Sequence, residues 1–265
     1  MAAKILWEEH SWPELREASR QERVVVLPVG TIEQHGPHLP LATDCITSRE
    51  ISKLAVERIS DEAILMPQVY YSFNIHHMDF PGTIAVDGHH IIDYVTDVLK
   101  SVAHHGFKKI LLVNGHGSNV PFLDIAARNL TNQTESVAAM VSWWDLGEPA
   151  ITDIRESEYP GGMAHACELE TSVILHLRPD LVEMSKADRD IDYTPTKYFF
   201  WDLQKGPVVH FVETFSCSSA TGTKGDPRTA TAEKGARVVE CAVGNMAELI
   251  REFRARAIMP RVDHH

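Results

Sequence analysis

Short apolar runs alternate along this chain with longer stretches in which apolar residues recur at helical spacing. The clearest runs are Val24 to Val29 and Lys109 to Val113, and further strands are predicted over 63–69 and 137–143. Helical spacing is found over 46–59, 90–105, 121–130, 168–177 and 232–256. Strands alternating with helices are typical of an α/β fold, in which a mostly parallel sheet is covered on both faces.

Polar, metal-ligating residue types follow two of these strands and precede one helix. The loop after the first strand carries Glu33, His35 and Asp44. The loop after Val113 carries His116 between two glycines, and a third cluster spans 164–172. Because sites in α/β sheets form at the carboxyl ends of strands, these side chains are expected to meet there. Glu, His and Asp bind hard or borderline divalent ions.

The spacing within the clusters predicts two metal ions. Glu33 and His35 lie two residues apart, so in an extended loop they point the same way and could serve neighbouring ions, with Asp44 bridging both. Glu168 and Glu170 cannot share a helical face, so at most one of them is expected to be a direct ligand. The other would orient a histidine or cap a backbone group.

Composition limits the classes of partner. The net charge of -12 argues against nucleic acid and anionic membrane surfaces. No apolar run approaches the roughly 20 residues of a membrane span, and no signal segment is visible, so a cytoplasmic protein is expected. With no repeat or linker in view, we expect one domain over 1–265, with an irregular excursion at about 185–225.

Three motifs together resemble the creatininase (creatinine amidohydrolase) family. The first is Pro-Val-Gly-Thr-Ile-Glu-Gln-His-Gly-Pro-His-Leu-Pro-Leu-Ala-Thr-Asp, ending at Asp44. The second is Asn-Gly-His-Gly-Ser-Asn around His116, and the third is His-Ala-Cys-Glu-Leu-Glu-Thr-Ser from His165. The first motif is long and highly specific, and the similarity covers roughly 24–182.

The resemblance implies a creatininase-like three-layer α/β/α sandwich around a mostly parallel sheet. It also implies hydrolysis of amide-type C–N bonds in a small-molecule substrate, and commonly a homohexamer. Two divalent ions are implied, zinc and/or manganese, and mixed ligands of this kind also accept iron. On the matching positions, Glu33 and His116 would bind one metal, His35 the other, and Asp44 both.

The chain departs from creatininase at three places. Creatininase has a Tyr and a metal-binding Glu where this chain has Gly117 and Ser118. Glu168, at a position that is apolar in creatininase, is expected to supply the missing ligand, with Glu170 as the fallback. Gly161 and Gly162 replace the Trp-Asp pair that creatininase uses for its substrate ring, so a substrate other than creatinine is expected.

Further residues are assigned around this centre. His165 is expected to protonate the leaving nitrogen, because its ordinary pKa lies near operating pH; a core or orienting role is the alternative. His76, His77, Gly117, Ser118 and Trp143 are candidates for substrate contact, and core burial explains Trp143 equally well.

Three functions remain open at this stage. The first is metal-dependent hydrolysis of a cyclic amide, lactam or formamide-like molecule by activated water. The second uses the same metals on a C–C bond of a cyclic ketone or β-dicarbonyl. The third is a non-catalytic metal-binding assembly or regulatory protein, which has no need of a general acid such as His165.

Overall fold

The computed structural model describes residues 4–265, and its centre is a four-stranded parallel sheet. The strands lie in the order β2-β1-β3-β4. They are β1 (Val24–Val29), β2 (Ala63–Leu65), β3 (Lys109–Asn114) and β4 (Val137–Ser142). The helices are α1 (Trp12–Arg20), α2 (Thr43–Arg58), α3 (Gly88–His104), α4 (Val120–Gln133), α5 (Ala150–Ile154), α6 (Glu168–Leu177) and α7 (Ala232–Ala255).

Alternate side chains of β1 enter two different hydrophobic cores. Val24 and Val26 pack with apolar residues of α2, α6 and α7. Val25, Leu27 and Val29 pack with residues of α1, α3 and α4 on the other face. A strand buried on both faces has no polar side, which explains why β1 is almost wholly apolar. The predicted three-layer α/β/α sandwich is therefore confirmed.

The predicted elements are found with small changes at their ends. The helix over 168–177 is confirmed at both bounds, and the helix predicted from 90 begins at Gly88. The strand predicted over 63–69 ends at Leu65. Met66 still donates its N–H to Val26 O, and pairing with β1 then resumes as an isolated bridge between Val29 and Val69.

The strand order places a topological switch point beside β1. The chain passes from β1 through α2 to β2 on one side, and β3 then pairs with the other side of β1. The loops that follow β1 and β3 thus lead in opposite directions from the carboxyl ends of these two strands. In such sheets, ligands bind in the crevice between two loops of this kind. Two of the polar clusters follow these two strands.

The segment 185–225 is irregular, as expected, but it returns to the third polar cluster. Its last residues form β6 (Lys224–Gly225), which pairs antiparallel with β5 (Met163–His165). His165 lies opposite Lys224 in this pairing. The segment therefore forms part of the surroundings of His165. Within the described range, no helix combines the length and apolarity that crossing a membrane requires.

Candidate metal centre

Six side chains from the three polar loops converge at the carboxyl end of the sheet. His35 Nε2 lies 3.1 Å from Asp44 Oδ1 and 3.8 Å from Glu170 Oε1. His116 Nδ1 lies 3.2 Å from both Glu33 Oε2 and Asp44 Oδ2. His165 Nδ1 is 3.5 Å from Glu33 Oε1. We call this set the central cluster: Glu33, His35, Asp44, His116, His165 and Glu170.

The polar atoms of the central cluster lie close together, but several of them form no hydrogen bond within residues 4–265. Both carboxylate oxygens of Glu33, one oxygen of Asp44 and His35 Nε2 are buried, and none has a hydrogen-bond partner among the described residues. Unpaired buried carboxylate oxygens are costly in free energy unless a cation compensates them. Overlapping groups of three side chains place their ligand atoms within 4.8 Å of one another. These atoms fit a divalent metal site.

Three histidines of the central cluster hold their outer ring nitrogen against a backbone carbonyl. His35 Nδ1 lies 3.1 Å from Glu33 O, and His116 Nε2 lies 3.0 Å from Phe73 O. His165 Nε2 lies 2.9 Å from Gln34 O. A carbonyl oxygen only accepts, so in the neutral ring each outer nitrogen carries the proton and the inner nitrogen keeps its lone pair. This arrangement is typical of histidine metal ligands.

Charges in the cluster are unbalanced without a cation. Burial raises the pKa of Glu33 to about 8, against the opposing effect of His116. Burial lowers the pKa of His35, but Asp44 and Glu170 outweigh it, and the net shift is well above the usual value. Glu33 thus holds its own proton near neutral pH, and His35 holds a second proton beside Asp44 and Glu170. A divalent cation would replace these protons and return the carboxylates to their ionised form.

Close backbone packing brings the first two loops together. Asp44 lies in the first turn of α2. A Cβ on Gly115 would collide with the carbonyl oxygen of Asp44 and with Ser48, so only glycine lets the loop after β3 approach this turn. A Cβ on Gly117, by contrast, would meet no atom of the described structure within 4 Å beyond its chain neighbours. Of the two glycines beside His116, only Gly115 is therefore required by close packing.

Glu168, predicted to be a metal ligand, lies outside the central cluster. Its carboxylate forms an ion pair of 2.5 Å with Lys234 and accepts hydrogen bonds from the backbone N–H groups of Glu156 and Ser157. None of the ligand groups found among the described residues includes Glu168, whereas one includes Glu170. Two positions along α6 rotate a side chain to a different face, so only one of them reaches the centre.

The candidates for substrate contact divide into three kinds. His77 adjoins the central cluster, with Nε2 3.3 Å from Glu33 Oε1. His76 Nε2 lies 3.1 Å from the hydroxyl of Ser118 at the edge of the site, and Gly117 leaves open space beside it. Trp143 is 1% exposed and packs in the core between the sheet and α7. Its position supports core burial as its role.

Several contacts of the site were missed from the sequence. Gln34 stands between Glu33 and His35, and its side-chain amide contacts His77 and the backbone of Gly222. The ring of Phe215 stacks on His77 at 4.1 Å, and the Nζ of buried Lys224 lies 4.2 Å from the centre of that ring. Gln34 is inside the first motif, so that motif could have drawn attention to it. Phe215 and Lys224 come from the irregular segment, where no local pattern marks them.

Comparisons with known proteins identify the family. The creatininase family, described as creatinine amidohydrolase, matches residues 8–250. The creatinine amidohydrolase of Pseudomonas putida is 30% identical, with 95% of this chain and 98% of that protein covered. The mycofactocin precursor peptide peptidase of Mycobacterium tuberculosis is 29% identical over 90% of this chain and 87% of the relative. The 3-dehydro-scyllo-inosose hydrolase of Thermotoga maritima is 25% identical over 95% and 84%.

Solved structures agree with the sequence comparisons. A structure described as "Creatininase Mn" has a TM-score of 0.79 at 28% identity, with 96% of this chain and 100% of that chain covered. A mutant creatininase described as "Zn-Zn type" also has a TM-score of 0.79 at 28% identity, with 96% and 99% covered. The family match, the shared fold and the motifs that build the central cluster agree, and the chain belongs to the creatininase family.

Proposed function

We propose that this protein is a hydrolase that uses two divalent metal ions, zinc and/or manganese, to cleave an amide-type C–N bond of a small molecule. The central cluster carries the proposal, because it combines unpaired buried carboxylate oxygens with histidine lone pairs that face inward. Similar structures described by manganese and by zinc support the choice of metals. The same ligand types also accept iron.

The positions of the side chains suggest how two ions would be shared. Glu33 and His116 would hold one ion, since His116 Nδ1 lies beside Glu33 Oε2. His35 and Glu170 would hold the other, and Glu170 takes the place first expected for Glu168. The oxygens of Asp44 divide between His35 and His116, so Asp44 would bridge the two ions.

When bound, two such ions supply Lewis acidity and a water whose pKa is lowered toward neutrality. The inner nitrogen of His165 lies next to Glu33, while Nε2 is committed to the carbonyl of Gln34. His165 Nδ1 is therefore the atom that can accept a proton from the attacking water and return it to the leaving nitrogen. Proton transfer by a positioned histidine contributes about 10²- to 10⁴-fold to a rate.

The substrate is proposed to be a cyclic amide, lactam or formamide-like molecule other than creatinine. Gly161 and Gly162 stand where creatininase carries its Trp-Asp pair. A Cβ on Gly162 would collide with the backbone of Glu158 and the side chain of Ser157. This loop packs too closely to present a ring-binding side chain at that position.

A second candidate uses the same centre to cleave a C–C bond of a cyclic ketone or β-dicarbonyl. The named substrate of the Thermotoga maritima relative, 3-dehydro-scyllo-inosose, is a cyclic ketone and favours this candidate. The peptidase relative favours the amide-type bond. All three relatives are named for enzymes, which gives the non-catalytic alternative less support.

Product analysis tests the proposal. The metal-loaded protein is incubated with lactams, formamides, cyclic ketones and β-dicarbonyls, and the products are identified by mass spectrometry. We expect a carboxylate and an amine from C–N cleavage, lost in Asp44→Asn and retained in Glu57→Gln, an exposed acid on the same helix. Cleavage only between carbons would support the second candidate. Metal-loaded protein that cleaves nothing in the panel would count against both.

A further inference from the structure

The amide of Gln34 has an orientation that two backbone groups determine. Its Oε1 accepts a hydrogen bond of 3.0 Å from the N–H of Gly36. Its Nε2 donates to the carbonyl oxygen of Gly222, also at 3.0 Å. A backbone N–H can only donate and a backbone carbonyl can only accept, so exchanging the amide oxygen and nitrogen would break both bonds.

With this orientation, Gln34 presents a donor to His77. The distance from Gln34 Nε2 to His77 Nδ1 is 2.8 Å. Gln34 Nε2 also lies 3.1 Å from His165 Nε2, but that nitrogen donates to the backbone carbonyl of Gln34 and cannot accept. The two amide hydrogens therefore go to Gly222 O and His77 Nδ1, and the neutral ring of His77 carries its proton on Nε2. That nitrogen lies 3.3 Å from Glu33 Oε1 and faces the central cluster.

The proton of His77 is therefore on the inner ring nitrogen, whereas in the three histidines that contact backbone carbonyls it is on the outer one. His35, His116 and His165 direct a lone pair inward, whereas His77 directs an N–H inward. A metal ligand must offer a lone pair, and giving one to His77 Nε2 would place a proton on Nδ1 against the amide N–H of Gln34. Distance alone would make His77 a candidate metal ligand, because one of its ring nitrogens lies close to ligand atoms of Glu33 and His165.

We propose that Gln34 is a positioning residue that keeps His77 out of the metal ligands and makes its Nε2–H a hydrogen-bond donor to the oxygen of the reacting carbonyl. No proton moves in this role. The hydrogen bond strengthens as the carbonyl oxygen gains negative charge in the tetrahedral state. Donors placed in this way act as an oxyanion hole. The catalytic part of this inference rests on the proposed hydrolytic function, and the assignment of the proton on His77 does not.

The irregular segment contributes to the same arrangement. Gly222 has a φ of +85°, and a Cβ at this position would collide with the amide of Gln34, so glycine is what lets the carbonyl reach Nε2. The ring of Phe215 stacks on His77 with an interplanar angle of 29°. Gln34 thus determines which ring nitrogen of His77 carries the proton, and Phe215 fixes the plane of the ring.

Nuclear magnetic resonance of protein with isotope-labelled histidine tests the assignment. Correlations between ring nitrogens and carbon-bound protons separate a protonated from an unprotonated nitrogen, and His77→Gln identifies the signals of His77. In both metal-free and zinc-loaded protein at neutral pH, we expect His77 with Nε2 protonated and Nδ1 bare. A proton on Nδ1, a doubly protonated ring or zinc bound to His77 would overturn the inference.

Two variants extend the test to Gln34. Gln34→Glu replaces the donor with an acceptor and should move the proton of His77 to Nδ1, whereas exposed Gln133→Glu should leave it unchanged. An unchanged His77 in Gln34→Glu would also contradict the inference. Gln34→Met removes the donor without adding charge and should leave both forms populated. Circular dichroism verifies that each variant is folded, and the wild-type spectrum alone still decides the assignment if a variant fails to fold.

Kinetics test the catalytic part on any substrate that the panel identifies. Removing one oxyanion donor typically lowers kcat by about 10²- to 10³-fold. His77→Gln and Gln34→Met should therefore lower kcat with little change in KM. If kcat and KM changed by the same factor, or if KM alone changed, the catalytic role would be contradicted. Absence of turnover in the wild type would instead count against the hydrolytic function and leave the proton assignment to the spectra.

Discussion

Replacing Glu168 or Glu170 of α6 with glutamine should affect two different properties, the stability of the fold and the binding of metal. Glu168→Gln should destabilise the fold and keep both metal ions, whereas Glu170→Gln should weaken metal binding and leave the metal-free fold nearly as stable. The structure gives the reason, because Glu168 pairs with Lys234 and Glu170 faces His35. Both changes keep the length of the side chain and remove one negative charge.

The expected size of the Glu168 effect comes from its contacts. Its carboxylate is fully buried, and its partner Lys234 has a side chain only 12% exposed. Each hydrogen bond to a charged group contributes about 1.5–3 kcal/mol, and deleting one partner of a buried pair costs about 3–5 kcal/mol. Glutamine still accepts from the N–H of Ser157. We therefore expect a loss of about 2–3 kcal/mol in the free energy of unfolding.

The loss should also depend on pH. Burial raises the pKa of Glu168, but Lys234 and the hydrogen bonds from Ser157 and Glu156 outweigh it, and the net shift is downward. A carboxylate with a lowered pKa in the folded state stabilises the fold above its unfolded pKa, and this stabilisation is lost as pH falls through the folded value. The difference between wild type and Glu168→Gln should thus be full at neutral pH and shrink in acid.

Urea unfolding of metal-free protein and elemental analysis of metal-loaded protein measure the two effects. For Glu170→Gln we expect metal affinity to fall by more than about tenfold. Losing a residue that only hydrogen-bonds to a metal ligand already lowers metal affinity by about 10- to 100-fold. The assignment of roles on α6 would be refuted if Glu168→Gln lost a metal ion without losing stability. It would equally be refuted if Glu170→Gln bound two ions as tightly as the wild type.

Three further changes test other parts of the account. Chelating the metals should lower the melting temperature, because a ligand at about 1,000 times its Kd stabilises the fold by about 4 kcal/mol; calorimetry with and without chelator measures this, and an unchanged transition would contradict it. Gly222→Ala should lower kcat through its collision with Gln34, and Gly206→Ala, which meets no described atom within 4 Å, should not; equal kinetics would count against a role for Gly222. Trp143→Ala should cost about 3–5 kcal/mol of stability, as expected for a core aromatic. A change confined to KM would instead place Trp143 in the substrate pocket.

The fold could be predicted from the sequence because local patterns encode it. A strand buried on both faces must be apolar at every position, and β1 and β3 show this directly. Helix α6 was predicted over 168–177, and Arg178-Pro179 marks its end in the sequence. The end of β2 at Leu65 was not predicted, because the residues from 66 to 69 are still mostly apolar.

The site could be predicted only in part. The first motif brought Glu33, His35 and Asp44 together along the chain, and the structure places them together in space. The choice between Glu168 and Glu170 depended on how α6 is rotated about its axis, which a spacing of two residues does not reveal. The homohexamer and the cytoplasmic location stay predictions from the sequence.

The contacts of segment 185–225 with the site could not be foreseen. Phe215 reaches His77 across more than a hundred residues of chain, through packing that has no periodic signal. Gly222 gave no sign that its backbone carbonyl meets Gln34. Long-range contacts of an irregular segment follow from tertiary packing, and the local sequence does not specify them.

The number of divalent ions bound per chain tests the central claim most directly. Purified protein is loaded with zinc or manganese, freed of loosely bound metal, and measured by elemental analysis against protein concentration. Two ions per chain are predicted for the wild type and for Glu57→Gln, with at least one ion lost in Asp44→Asn. Fewer than one tightly bound ion per wild-type chain would contradict a metal-dependent hydrolase, and a single ion would contradict the bridging role of Asp44.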